Sequence, residues 1–175
     1  MEELILIKPT SEYGIQIMEY RQEFLDTGNS MDGCGPLRRF DNSLEYLKAC
    51  KDYENPETVP ENLVQATQFI CVRKSDNKLV GMIQVRHYFN EYLEKYAGHI
   101  GYSIRPTERR RGYAKEMLKM ALPFCKEIGL KKVLISCIDG NIGSEKAILA
   151  NGGVYESTVH EPNENKNLKR FWIVL

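Results

Sequence analysis

Three arginines and a glycine separate an apolar strand from an amphipathic helix in this 175-residue chain. The strand is predicted over 98–104 and ends before Pro106, and apolar residues recur at helical spacing from Tyr113 onward. The loop 109–114 therefore lies at a helix N-terminus, where unpaired backbone N–H groups and the helix dipole favour anions. Gly112 lets a phosphate approach the backbone without a Cβ in the way. The pattern predicts a loop that holds a pyrophosphate.

The three cations Arg109, Arg110 and Arg111 support a bound anion, because they conflict with the helix dipole. A positive charge at a helix N-terminus is unfavourable by about a few tenths of a kcal/mol, and a phosphate would remove that conflict. A nucleic-acid contact is the alternative interpretation of these arginines. The 24 basic and 24 acidic residues of the chain give zero net charge, which argues against a general nucleic-acid binder.

Further motifs follow the arginine loop at defined spacings. A strand is predicted over 132–138, then a turn carries Asn141 and Ser144, and Gly152 stands eleven residues after Asn141. Together with Arg-x-x-Gly-x-Ala at 109–114, these motifs resemble the GNAT superfamily of N-acetyltransferases. That family's acyl-CoA loop is usually Gln/Arg-x-x-Gly-x-Gly/Ala. The resemblance covers residues 79–155, and before that it extends only to topology.

The resemblance implies a single α/β (α+β) N-acetyltransferase domain over residues 1–175, with the acyl-CoA-binding core at about 79–155. No Pro/Gly/Ser-rich linker divides the chain. The implied fold is a mixed, mostly antiparallel sheet of about seven strands, with helices on both faces and a splay between the two central parallel strands. We predict strands at 4–8, 68–73, 78–89, 98–104, 132–138, 154–160 and 170–175, and helices at 12–25, 43–53, 113–128 and 142–150.

The implied reaction is acetyl transfer from acetyl-CoA to a primary amine, by direct attack in a ternary complex. The acetyl-CoA-binding residues that the resemblance implies are Ile104, Arg109, Arg110, Arg111, Gly112, Tyr113, Ala114, Asn141 and Ser144. Asn141 is also a good N-cap for the helix that follows it, and the two roles are compatible. The resemblance further implies that the backbone amide of Ile104 polarises the thioester carbonyl.

The catalytic base is harder to identify. Family members often carry Glu or His at the positions of Gly98 and Ile100, and neither residue here can accept a proton. His99 is a candidate one position away, although strand alternation turns it to the opposite face unless a bulge intervenes. A hydrogen-bonded sheet histidine is the other interpretation of His99. Tyr102 has the right parity to donate or relay a proton, and it could equally be a core or substrate-wall tyrosine.

The general acid also departs from the family pattern, because Ile148 occupies the position where many relatives have a tyrosine. A coenzyme A thiolate needs little assistance, since a thiol pKa of about 8.5 makes it a tolerable leaving group. The missing base and acid leave open a second interpretation, a coenzyme A-binding regulatory module without catalysis. A nucleic-acid-binding protein remains the third.

The distribution of charge along the chain suggests which kind of molecule accepts the acetyl group. Residues 1–60 hold twelve acids against six bases, and Asp32, Asp41 and Glu45 fall in or near an irregular segment. These acids predict a small cationic amine as the acceptor. Dimers are common in the family, but the sequence shows no interface for a homodimer.

Cysteine usage and the N-terminus predict a cytoplasmic protein. The five cysteines are odd in number and lack C-x-x-C spacing, which favours reduced thiols. The first residues have no basic segment followed by a long apolar core, and no apolar run reaches the roughly 18 residues that a bilayer requires. The histidines and cysteines show no zinc spacing, so we predict no metal, no membrane and no nucleic-acid partner.

Overall fold

The computed structural model describes residues 2–175. Its strands are β1 (Leu4–Ile7), β2 (Ala66–Arg73), β3 (Lys78–Arg86), β4 (Ile100–Ile104), β5 (Lys132–Ile138), β6 (Val154–Glu161) and β7 (Lys166–Val174). Its helices are α1 (Gly14–Thr27), α2 (Ser43–Glu54), α3 (Tyr113–Glu127) and α4 (Ile142–Ala150). Both β5 and α4 begin and end at the predicted residues. Among the described residues, no helix is both long and apolar enough to cross a membrane.

The seven strands form two antiparallel sheets, with strand orders β1-β2-β3-β4 and β5-β7-β6. The sheets meet where the His99 N–H donates to the Leu134 carbonyl at 2.8 Å and where Gly98 bridges Ile135. Past this junction, β4 and β5 share no hydrogen-bonded ladder within residues 2–175. The predicted splay is therefore confirmed, and it is wide enough to divide one expected sheet into two.

The junction depends on a glycine. Gly98 has a left-handed φ of 71°, and a Cβ there would lie 2.3 Å from the Leu134 carbonyl oxygen. From this point β4 and β5 proceed in the same direction, because Tyr102, further along β4, reaches Ser144 beyond the end of β5. The two strands thus leave a cleft that opens toward their carboxyl ends.

Helices cover both faces of the four-stranded sheet, as predicted. One apolar cluster joins α1 and α2 to this sheet and includes Ile17, Tyr20, Phe24, Tyr46, Ile70 and Met82. The other joins α3 to both sheets and includes Ile83, Val85, Met117, Leu118, Val133 and Phe171. Each large side chain buried in this way contributes about 1.5–3 kcal/mol to folding. Since α3 packs on strands of both sheets, it holds the walls of the cleft together.

The last hairpin differs from the sequence prediction. A polar loop was expected over 161–169, but β6 extends to Glu161 and β7 begins at Lys166, which leaves a four-residue turn. The Glu161 carboxylate closes this turn by accepting the N–H groups of Asn163 at 3.0 Å and Glu164 at 2.8 Å. Polar composition indicated a loop, whereas these side-chain bonds let polar residues continue the strands.

Candidate active site

The cleft between β4 and β5 encloses a cavity of about 1010 Å³. Its walls are β4, the end of β5, the first turns of α3 and α4, and the segment after α1. We call the region at the starts of α3 and α4 the loop side; it includes Gly112, Tyr113, Ala114, Lys115, Asn141 and Ser144. We call the opposite region the Arg86 side; it includes Asp32, Gly33, Gln84, Arg86 and Gly101.

Four consecutive N–H groups on the loop side have no acceptor. The backbone amides of Gly112, Tyr113, Ala114 and Lys115 make no hydrogen bond to any atom of residues 2–175, and all four residues line the cavity. Gly112 is the N-cap of α3 with a φ of 81°, and a Cβ built there meets nothing within 4 Å. Unpaired amides at a helix N-terminus, with open space before them, form a site for phosphate groups.

The three arginines of the loop have different surroundings. Arg109 is exposed and lines the cavity, and its Nε donates to the Ile104 carbonyl at 3.2 Å while its guanidinium lies 5.7 Å from the Phe24 ring centroid. Arg110 is exposed, lines the cavity and has a left-handed φ of 64°. Arg111 is exposed outside the cavity lining, with its Nε 3.6 Å from the Glu108 carboxylate. Both Arg109 and Arg110 can therefore meet a phosphate in the cavity; Arg110 makes no side-chain bond to residues 2–175 and is the freer of the two, whereas Arg109 also fixes the loop to β4.

A buried carboxylate lies beneath the loop. Glu108 is 3% exposed and accepts from Arg73 at 2.6 Å, and its other oxygen lies 2.7 Å from Lys78 Nζ. Burial alone would raise the pKa of Glu108, but the bonds from Lys78 and Arg73 outweigh burial and hold the pKa below its usual value. Arg73 also bonds the Tyr113 hydroxyl at 3.1 Å. This network ties the loop and the first turn of α3 to β2 and β3.

The edge of β4 presents a free amide to the cleft. In the β3–β4 ladder, Arg86 N–H donates to His99 O at 2.7 Å and Arg105 N–H donates to Val80 O at 2.8 Å. In this register Gly81 lies opposite Ile104. These two residues form one of the alternate pairs of an antiparallel ladder that exchange no backbone hydrogen bonds. The Ile104 N–H therefore faces away from β3 and into the gap beside β5. This is the arrangement that an oxyanion donor requires.

Tyr102 and Ser144 join β4 to α4 across the cleft. The Tyr102 hydroxyl lies 2.7 Å from Ser144 Oγ, and the Ser144 N–H donates to the Asn141 side chain at 3.1 Å. Asn141 is the N-cap of α4, as the sequence predicted. Burial raises the pKa of Tyr102 to about 12, so its hydroxyl keeps its proton at neutral pH. It can therefore donate a hydrogen bond or a proton at this point.

His99, which the sequence predicts to be either a candidate base or a hydrogen-bonded sheet histidine, lies outside the lining of the cavity. The side chain is 5% exposed, its Nδ1 accepts the Leu134 N–H at 2.9 Å, and its ring packs 4.0 Å from the ring of Phe89, centroid to centroid. Burial, with a smaller effect of the Arg86 charge, lowers the pKa of His99 to about 4. The ring nitrogen that could accept a proton is thus occupied in holding the two sheets together, and we assign His99 no catalytic role.

This assignment predicts a specific pH dependence of stability. The unfolded chain binds a proton at His99 near pH 6.5, whereas the folded chain resists it until about pH 4. The free energy of unfolding should therefore fall by about 2–3 kcal/mol as pH drops through this interval. His99→Asn keeps an acceptor for Leu134 but cannot titrate, so urea unfolding of this variant should lose that slope. Loss of acetyl transfer in a folded His99→Asn protein would instead restore the catalytic interpretation.

The polar residues of the Arg86 side were missed in the sequence. Strand alternation places Gln84 and Arg86 on the same face as Met82, which belongs to the α1–α2 cluster. Gly33 packs against β4 so closely that a Cβ would lie 2.4 Å from the Tyr102 Cα. The polar residues inside an otherwise apolar β3 were the available signal, but only the tertiary fold shows that they face a cavity.

Of the acids that suggested a cationic acceptor, only Asp32 lines the cavity. Asp41 and Glu45 are exposed near the start of α2 and lie outside its lining. Two of the three acids therefore give no support to that acceptor.

Comparison with known proteins settles the family. The model of the acetyltransferase (GNAT) domain matches residues 38–154, which include the cleft strands, the arginine loop and α4. The chain belongs to the GNAT acetyltransferase family. As a GNAT acetyltransferase it is an enzyme, and the match extends further toward the N-terminus than the motifs did. No curated protein matches the chain at a significant level.

Solved structures share the fold at low sequence identity. The ribosomal-protein-S5-alanine acetyltransferase from Vibrio fischeri has a TM-score of 0.75 at 17% identity, over 99% of this chain and 94% of that one. The microcin C7 self-immunity acetyltransferase, in complex with acetyl-CoA and AMP, has a TM-score of 0.71 at 18% identity, over 100% and 94%. A spermidine N-acetyltransferase chimera involving Vibrio cholerae has a TM-score of 0.65 at 15% identity, over 98% and 94%. At these identities the likeness shows the fold alone.

Proposed function

We propose that this GNAT acetyltransferase moves an acetyl group from acetyl-CoA to the primary amine of a small molecule. One juxtaposition supports the proposal: four unpaired N–H groups at the start of α3 and the free Ile104 N–H open into the same cavity. The first set fits a pyrophosphate, and the second fits the developing oxyanion of an acyl transfer. An acyl-CoA needs both in one cleft, because its pyrophosphate and its thioester belong to one molecule.

The loop side is where we propose that acetyl-CoA binds. The amides of Gly112, Tyr113 and Ala114 would hold the pyrophosphate together with the Arg110 guanidinium. Arg109 would keep the loop in place, and Arg111 would contribute charge from outside the cavity. Asn141 and Ser144, at the start of α4, would contact the pantetheine arm.

In the proposed reaction the neutral amine attacks the thioester carbonyl carbon while the Ile104 N–H stabilises the oxyanion. The C–N bond forms, the C–S bond breaks, and coenzyme A leaves as a thiolate that takes up a proton. The amine nitrogen loses a proton to solvent. A lysine-like amine is about 0.04% neutral at pH 7, so the rate should rise with pH. The enzyme's contribution is alignment of the two substrates and stabilisation of the oxyanion.

The experiment is a screen of primary amines with acetyl-CoA, followed by detection of both products. Mass spectrometry identifies the N-acetyl product, and a thiol reagent measures coenzyme A. The five cysteines are buried, and burial raises the pKa of Cys125 to about 12 and of Cys137 to about 11, so their background reaction is slow. Binding of acetyl-CoA with no acetylated amine across the panel would overturn the proposed acceptor class.

Tyr102 offers a test of the proton path. We expect Tyr102→Phe to lower kcat by up to about 10-fold with KM for acetyl-CoA unchanged, because the phenol no longer donates a hydrogen bond to the leaving thiolate, which needs only modest assistance. The matched control is Tyr155→Phe, which removes an exposed hydroxyl that bonds Thr158 at 2.8 Å. Equal kcat values in wild type and Tyr102→Phe would show that Tyr102 only forms part of the cavity wall.

A further inference from the structure

Arg86, which is half-buried, differs from the buried Arg73 and Arg105 in having no anionic partner. Arg73 is bonded to Asp76 and Glu108, and Arg105 is bonded to Glu23 with Glu19 at 3.4 Å. Arg86 lies within 4 Å of no carboxylate of residues 2–175. Its one hydrogen bond is long, from Nη1 to the Gly98 carbonyl at 3.4 Å. Most of its five N–H donors are therefore unused.

The position of the guanidinium is built into the fold. Arg86 ends β3, and its side chain lies over β4 at Gly101, where a Cβ would be 3.1 Å from Nη2 and 3.4 Å from Nη1. Gly33, on the segment after α1, lies against the same point of β4. Gly101 thus leaves space for the guanidinium, and Gly33 lets its own segment pack against the backbone of β4. Burial lowers the pKa of Arg86 to about 10, and Asp32 partly offsets this effect.

Gln84 provides a second unpartnered polar group beside Arg86. It is 7% exposed, lines the cavity, and its side-chain amide makes no hydrogen bond to any described residue. Its Nε2 would be 2.9 Å from a Cβ at Gly35, which places the amide next to the same glycine-rich segment. The amide of Gln84 and the half-buried guanidinium of Arg86 thus keep hydrogen-bonding groups that no described residue uses and that a ligand in the cavity can bond.

Asp32 supplies the opposite charge on the same side of the cavity. Its carboxylate accepts from Ser30 at 2.8 Å and has no cationic nitrogen within 4 Å among residues 2–175. The neighbouring Gly33 contacts the backbone of Gly101 and Tyr102, so Asp32 lies close to the cleft. The Arg86 side therefore presents the Arg86 guanidinium and the Asp32 carboxylate to whatever enters, and neither is paired within residues 2–175.

From this geometry we infer that the acceptor is an amino acid or a similar amino-carboxylate, whose carboxylate binds Arg86 and Gln84. The inference rests on the proposed amine acetylation and names its substrate class. A planar guanidinium matches a carboxylate with two parallel hydrogen bonds, and such a pair orients the acceptor as well as holding it. Asp32 is placed to attract the ammonium group as the acceptor enters. A polyamine, with no anion, would leave Arg86 unpaired.

The experiment compares kcat/KM for amino acids, their primary amides and the matching aminophosphonates. For wild type we expect amino acids to exceed their amides by about 10- to 100-fold, because the amide loses the charged pair with Arg86. The phosphonates show whether a phosphate-like anion serves as well. Arg86→Gln should lose this preference and retain the rate on the amides, while Arg86→Lys should keep part of it. Lys119→Gln removes one exposed positive charge outside the cavity lining and should change nothing.

Two outcomes overturn the inference: a wild-type preference for amides or polyamines, or the same carboxylate preference in Arg86→Gln. If no amine is acetylated, the proposed function fails but the inference is still tested by calorimetric titration of the protein–coenzyme A complex with the same amino acids. Binding by wild type and not by Arg86→Gln supports it, and no binding by wild type overturns it. The melting temperature shows whether the variant is folded: removing an unpaired, half-buried cation should leave Tm unchanged or raise it by about 2–4 °C.

Discussion

Replacing Gly112 with aspartate should abolish acetyl-CoA binding, with Kd raised at least about 100-fold. The new carboxylate would stand at the N-cap of α3, beside the amides that we propose hold the pyrophosphate. Like charges brought together in a binding site cost several kcal/mol, and every 1.4 kcal/mol is about tenfold in Kd. The side chain also needs a left-handed backbone, since φ at Gly112 is 81°. Isothermal titration with acetyl-CoA and then coenzyme A measures the loss.

The chain contains a close control for this variant. Gly129 follows the other end of α3 with a φ of 93°, and a Cβ there also meets nothing within 4 Å. Gly129→Asp therefore introduces the same residue in the same backbone region, with a similar loss of about 1 kcal/mol of stability. We expect Gly129→Asp to bind acetyl-CoA like wild type. Binding by Gly112→Asp at near wild-type affinity would mean that the phosphates lie elsewhere.

Glu108→Gln should be the most destabilising of the charge-neutralising substitutions considered, lowering the free energy of unfolding by about 2–4 kcal/mol. The variant keeps the shape of the side chain but leaves Arg73 and Lys78 without the buried carboxylate that they share. Arg73 retains Asp76, which limits the loss. Urea unfolding at pH 7 measures the change, and Glu127→Gln, at an exposed position at the end of α3, serves as control.

Two further measurements test whether the loss of stability in Glu108→Gln comes from its buried ion pairs or from a general disturbance of the fold. The pKa of Glu108 is lower in the folded chain, so its stabilising effect is present above the ordinary glutamate pKa and is lost as pH falls through the lowered value. The difference between wild type and Glu108→Gln should therefore shrink in acid. In a double-mutant cycle with Arg73→Met, the two losses should fail to add. Additive losses, or a difference independent of pH, would contradict the coupling.

The sequence predicted the second half of the fold well because its signals are local. The bounds of β5 and α4 follow from an apolar run and from the Asn141 N-cap, and α3 follows from helical spacing after Gly112. These signals need no knowledge of distant residues. They also located the arginine loop, whose role in binding acetyl-CoA stays a prediction.

Features that depend on contacts between residues far apart in the sequence were harder to predict from the sequence. Periodicity cannot show that His99 is bonded to Leu134, that Arg109 turns toward Phe24, or that Arg86 lacks a carboxylate. Each of these facts pairs residues from separate elements. The length of β7 was missed for a related reason, because the Glu161 carboxylate closes the turn that polar composition had suggested was a loop.

Because β4 and β5 are separated, substitutions can change the width of the cleft between them. Hydrogen-bonded strands are fixed about 4.7–4.9 Å apart, whatever their side chains. Across the cleft no ladder in the described chain imposes that spacing, so its width depends on side-chain volumes under α3 and around Ile138 and Leu168. Single substitutions there can widen or narrow the room for the acyl group that we propose this cleft holds, while every backbone hydrogen bond is kept. Acyl-chain length is thus a property that this architecture can alter without refolding.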